Sequence, residues 1–227
     1  MRELRPMVER PPHLVEEEVD ALLLRGDVLN AAHVIGELGQ SDSTQAFSHT
    51  DFKALSLPLY ELAFHPPTEE RIDAANDTYG LLAGLIEDEL AKLAEAAPQD
   101  RGDYLGRLGE LTIFSLFLRD GIHPDAVTVP VPATRQADKF GAIDFYLTPV
   151  GTGKIDDGWP FQVKLSNRGA EEHRKRSTIP VVSLESLDRR FYRRPDHPRS
   201  LPQRLLRELA GTSTDSDLGR LAHATSA

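Results

Sequence analysis

Cysteine is absent from the 227-residue sequence, which excludes disulfides and thiolate-bound metal. The chain also lacks any apolar run near the roughly 18 residues that a membrane-spanning helix needs, so no transmembrane segment is expected. Residues 1–12 are charged and carry proline, without the apolar stretch of a secretory signal. These features fit a cytoplasmic protein that does not engage a membrane. The eight histidines fall in neither H-E-x-x-H nor H-x-H spacing, which argues against zinc. No internal repeat is evident. Apolar residues make up 40% of the chain, enough for one sizeable domain, or one domain with a helical extension.

Charge is unevenly placed. The net charge is −10, yet residues 1–100 carry 7 basic and 20 acidic side chains, while residues 163–210 carry 12 basic and 6 acidic. A basic C-terminal third beside an acidic N-terminal half is the asymmetry expected where one surface meets a polyanion. An Arg-rich solvated surface that pairs with the acidic half would give the same count.

Hydrophobic spacing divides the chain. Residues 13–24 and 27–38, separated by Gly26, show helical recurrence through Val19, Leu22, Leu23, Val28, Leu29, Ala32 and Ile35. Residues 39–50 are polar and Ser-rich, hence a loop. Residues 51–64 fit neither period cleanly. Thr68 suits an N-cap, with Glu69 and Glu70 in the first turn of a long helix. Its stripe is Ile72, Ala75, Tyr79, Leu82, Ile86, Leu90 and Leu93; the helix could pack on the core or form a homodimer contact. Residues 103–119 read as another helix. Strands are expected at 126–131, 142–147, 161–165 and 179–184, with turn-rich loops at 132–141 and 148–160. Residues 167–178 form a short helix or a polar loop. Helices follow at 185–192 and 201–209, then a disordered tail.

Two of these strands carry the chemistry. In residues 142–147, Ile143, Phe145 and Leu147 share one face and Asp144 the other. In residues 161–165, Phe161, Val163 and Leu165 share a face, so Gln162 and Lys164 point the other way. If the two runs are neighbours over one core, an acid, an amide oxygen and a cation converge, as a metal-assisted phosphate site requires. Glu110 lies upstream in the 103–119 helix on a mostly apolar face, where a carboxylate is costly unless paired or bound to metal. Arg107 and Arg135 are alternative partners for it. Gly106 and Gly109 would let that helix approach the sheet.

The order Glu110, Asp144, then Gln162-Val163-Lys164, on a helix and two strands, resembles the PD-(D/E)XK nuclease superfamily in its Q-x-K form, as in Mrr-like restriction nucleases. The resemblance covers about residues 103–185, with Ile143 standing where the motif has proline. It implies a mixed α/β (α+β) fold: a restriction-endonuclease-like αβββαβ core over residues 99–210, a helical N-terminal region over 1–98, and a disordered tail over 211–227. It implies a Mg²⁺-dependent endonuclease, with Mn²⁺ as a substitute, that hydrolyses phosphodiester bonds in DNA; RNA is left open. Glu110, Asp144, Gln162 and the carbonyl of Val163 would hold metal, and Lys164 would orient or polarise the attacking water. Asp138, in the loop before Asp144, competes for the acid's role. Arg168, Arg174, Lys175 and Arg176 are placed to touch a nucleic-acid backbone. Neutral Gln162 also allows a catalytically inactive nucleic-acid-binding module. A helical interaction protein in which the 142–165 hairpin is only structural is the remaining alternative.

Overall fold

The computed structural model describes residues 12–38, 49–99, 101–118, 128–151, 153–155 and 158–185. Five helices come first: α1 (Pro12–Leu24), α2 (Val28–Leu38), α3 (His49–Phe64), α4 (Glu69–Glu95) and α5 (Arg101–Leu118). Then follow β1 (Thr128–Pro132), α6 (Arg135–Gly141), β2 (Phe145–Pro149), β3 (Trp159–Lys164), α7 (Asn167–Arg174) and β4 (Val181–Ser183). The sheet order is β1-β2-β3-β4. The first two pairs are antiparallel and β3–β4 is parallel, with α7 as the crossover. The fold is thus mixed α+β, with a small four-stranded mixed sheet. The helices and tail expected beyond Glu185, and the side chain of Tyr79, lie outside the described residues. Among the described residues no helix is long and apolar enough to cross a membrane.

The helical pair at the N-terminus turns at Gly26, whose φ of +74° suits glycine; a Cβ there would lie 2.9 Å from the Phe64 ring. Helix α3 is the segment that fits neither period, and the structure explains why. It is packed against α1, α2, α4 and β1, so Phe52, Lys53, Ser56, Leu59, Tyr60, Leu62 and Ala63 are all buried. A helix covered on several sides has no single apolar stripe. It also accommodates Pro58.

Helix α4 begins as expected, with the Thr68 hydroxyl accepting from the Arg71 N–H at 3.3 Å. Ile72, Ala75 and Leu82 are buried, and Ile86 and Leu93 partly so. Leu90 departs from the expected stripe and is 51% exposed. Its neighbour Glu89 is buried instead, paired with Lys92 at 2.8 Å and with Arg107 of α5 at 3.8 Å. Residues 135–141 are helical rather than a loop, capped by the Thr134 hydroxyl on the Ala137 N–H at 3.1 Å. This helix buries none of its residues, so it carries no hydrophobic period to read.

One contiguous apolar core runs from Val15 of α1 to Val182 of β4. At its centre, Phe145 of β2 lies 5.7 Å from the Phe52 ring of α3, 5.6 Å from Phe114 of α5 and 5.5 Å from Phe161 of β3. Phe145 and Phe161 are register partners, so this face of the sheet is the one covered by helices. The β2–β3 loop reaches back to α3: the N–H groups of Gly151 and Gly153, both at positive φ, donate to the Leu62 and Ala63 carbonyls at 3.0 and 3.1 Å. They satisfy acceptors that a helix end leaves open. Phe145→Ala should cost about 3–5 kcal/mol in urea unfolding; a loss below about 1 kcal/mol would show that this ring is not central to the core.

Candidate active site

Asp144 sits one residue before β2 rather than within a longer strand. Ala142 ends α6 in the left-handed conformation at φ 51°, which breaks the alternation upstream. Such a conformation costs a non-glycine residue on the order of 1 kcal/mol and is kept where surroundings impose it. Here the Ala142 and Ile143 N–H groups return to the Asp138 and Ala137 carbonyls at 3.1 and 3.3 Å. The Asp144 N–H then donates to the Phe161 carbonyl at 3.0 Å, and its carbonyl accepts from Ala133 at 2.9 Å. With its main chain held on both sides, the side chain crosses to β3. Asp144 Oδ2 accepts the Val163 N–H at 2.6 Å, and the Asp144 carboxylate also accepts a hydrogen bond from the Gln162 side chain. Burial pushes the Asp144 carboxyl up to about 6, against the pull of the Val163 N–H and the Lys164 ammonium.

Gln162 is only 7% exposed, because β3 lies between β2 and β4 and is covered near this point. Its amide faces Asp144, which leaves its carbonyl oxygen without a partner. Among the described residues, Gln162 Oε1 is the buried side-chain oxygen or nitrogen that has neither a hydrogen bond nor an ion pair. A buried unsatisfied amide oxygen costs about 1–3 kcal/mol. Lys164, next on the same side of the strand, is partly buried. A Cβ at Gly169 of α7 would lie 3.7 Å from the Lys164 Cβ, so α7 flanks the lysine stem.

Glu110 comes from α5. Burial pushes its carboxyl up to about 8; the charges of Asp144 and Asp138 add to this, and Lys164 and Arg107 oppose it. The adjacent Gly109 permits the close approach of α5, since a Cβ there would lie 2.9 Å from Leu165 Cδ2. Gly106 has open space instead and plays no such part. Arg107 acts on Glu110 through its charge and is also paired elsewhere. Arg107 reaches Glu89, and Arg135 reaches Glu16 of α1 at 3.0 Å.

Asp138 is exposed on α6, and its charge raises the Glu110 and Asp144 pKa values. The basic residues lie on α7, which flanks Lys164, and on the turn after it. Arg168 pairs with Glu172 at 3.2 Å, while Arg174, Lys175 and Arg176 are exposed. Ser166 caps α7 through the Gly169 N–H at 3.1 Å, and Glu185 accepts the Asn167 N–H at 3.1 Å.

Among the described residues no three His, Cys, Asp or Glu side chains come together as a metal site. The donors here are two carboxylates, one unpartnered amide oxygen and nearby main-chain carbonyls. Such a set suits a hard divalent cation that keeps several waters. Two acids that resist ionisation, with one ammonium nearby, gain from an added positive charge.

Two residues with no role in the sequence reading stand beside this group. Lys53 of α3 is 1% exposed and forms a buried ion pair with Asp20 of α1. Burial pulls its ammonium down to about 7, against the charges of Glu16 and Asp138. The available signal was Asp20 inside the Val15, Val19, Leu22, Leu23 stripe, but nothing in the sequence named its partner. No protein-family model, curated protein or solved structure matches the chain.

A carboxyl whose folded pKa exceeds its unfolded one keeps a proton that the unfolded chain has released. Between the ordinary 4.5 and about 8, Glu110 therefore subtracts stability as pH rises. Glu110→Gln should gain on the wild type between pH 5 and pH 8 by at least about 1 kcal/mol, measured by urea unfolding without divalent cations. Equal pH profiles would remove the buried-acid account of this site.

Proposed function

We propose that the protein is a divalent-metal-dependent nuclease that hydrolyses phosphodiester bonds in DNA, built on a restriction-endonuclease-like core. The observation that carries this reading is that Asp144 is hydrogen-bonded to Val163 and Gln162 and coupled by charge to Lys164 and Glu110, while the buried Gln162 amide oxygen has no hydrogen-bond partner. The chain order supports it: a helix, three antiparallel strands, a crossover helix and a parallel fourth strand follow the αβββαβ order, with the short helix α6 inserted between the first two strands. So does the placement of the acids and the lysine at one end of the central strands.

Asp144, Gln162 and the Val163 carbonyl would hold Mg²⁺ or Mn²⁺, with Glu110 closing the set directly or through water. The cation, when bound, supplies Lewis acidity to the phosphate and lowers the pKa of water. The protein's own groups do the rest. The Val163 N–H fixes the Asp144 carboxylate through its Oδ2 oxygen. Lys164 orients the attacking water and offsets charge on the phosphorane. Glu110, held protonated near neutral pH, gives up its proton as positive charge arrives beside it. Arg174, Lys175 and Arg176 would hold the nucleic-acid backbone alongside.

Supercoiled plasmid should be nicked with Mg²⁺ or Mn²⁺ and not with EDTA, and Asp144→Ala and Lys164→Ala should each lose about 100-fold or more. Nicking that persists equally in both variants would sink the proposal. Metal-independent DNA binding without cleavage would favour the inactive binding module that the neutral Gln162 allows. Replacing Arg174, Lys175 and Arg176 together by Ala should shrink the slope of log K against log salt by about 2–3; an unchanged slope would move the backbone contacts elsewhere.

A further inference from the structure

Helix α6 leads directly into Asp144, yet none of its residues is buried, so its hydrophobic anchoring is slight. What holds it is polar and comes from the far end of the chain. The Arg135 N–H, in the first turn of α6, donates to Asp20 Oδ2 at 2.8 Å, a contact across 115 residues. Arg135 Nη1 also meets Glu16 at 3.0 Å. Just upstream, the buried Tyr60 hydroxyl of α3 donates to the Pro132 carbonyl at 2.7 Å. Asp20 is buried, and its second oxygen is engaged by Lys53. A buried carboxylate without that lysine would be uncompensated and would not stay ionised as an acceptor.

We infer that Asp20 and Lys53 are positioning residues of the candidate site: the buried pair presents an oxygen to the first N–H of α6 and so fixes the path of the chain into Asp144. Helices α1 and α3 then form part of the apparatus that sets the site, rather than a separate appendage to it. The functional consequence rests on the nuclease reading; the placement of α6 does not.

The Arg135 position allows a specific test. It is the first residue of α6, where proline is tolerated and removes only the N–H. Thr134 before it is already extended, at φ −67° and ψ 154°, as a residue preceding proline requires. Arg135→Ala removes the Glu16 contact and keeps the N–H; Arg135→Pro removes both. Amide hydrogen exchange over residues 136–143 and calorimetric titration with Mn²⁺ would be run on the full chain. Arg135→Pro should exchange at least about tenfold faster there than Arg135→Ala and bind Mn²⁺ about tenfold more weakly. The double variant Asp20→Leu/Lys53→Met, which replaces the buried pair by apolar groups, should show the same two changes while keeping its unfolding midpoint near that of the wild type. Equal exchange in Arg135→Pro and Arg135→Ala would overturn the inference. If the wild type takes up no Mn²⁺, the nuclease reading fails, and the exchange difference alone still decides whether this pair holds α6.

Discussion

The edge and stacking contacts of Phe145 with Phe52, Phe114 and Phe161 are the constraint on which the rest of the molecule depends. These rings join α3, α5, β2 and β3 at one point. Three of the four polar side chains of the candidate site are tied to one of them. Asp144 precedes Phe145, Gln162 follows Phe161, and Glu110 lies one helical turn before Phe114. Since strand side chains alternate, seating the aromatic inward sends its neighbour outward. The core therefore aims the site: the precision of the polar end derives from dense packing at the apolar end.

Two buried charge groups are built differently. Lys53 and Asp20 balance one another, and the remaining oxygen of Asp20 is used by the Arg135 N–H. Glu110 and Asp144 are left with an excess of acid and an amide oxygen that nothing satisfies. The first arrangement is complete as it stands and suits structure. The second is incomplete, which lowers the stability of the folded chain and favours whatever positive ligand completes it.

The parts of the fold that could be read from sequence are those whose two faces differ in polarity. The β2 and β3 alternation and the first half of α4 fall in this class, and Asp144, Gln162 and Lys164 came with the strands, although the polar face of β3 is itself covered at Gln162. Helix α3 was unreadable because it is enclosed on several sides, and α6 because it buries no residue. Hydrophobic period reports a contrast between faces, and neither helix has one. The exchange of Leu90 for Glu89 at the α4–α5 contact has a different origin. A tertiary ion pair with Arg107 outweighed the local stripe, and partners that far apart leave no trace in spacing. The same limit applied to Asp20 and Lys53. Glu110 was legible as an acid on an apolar face, but the pairing of Arg107 with Glu89 and of Arg135 with Glu16 was not.

The glycine-borne link between the β2–β3 loop and the end of α3 bears on the order in which the chain can assemble. The Leu62 and Ala63 carbonyls are made early in synthesis, and the N–H groups that satisfy them belong to Gly151 and Gly153, made much later. Until then the last turn of α3 is closed only by water, and its apolar side chains have no sheet to cover. Contacts so distant in sequence are paid for in loop-closure entropy before they return anything, and they slow folding. The N-terminal helices of a nascent chain must therefore wait, partly formed, for the strands that finish them.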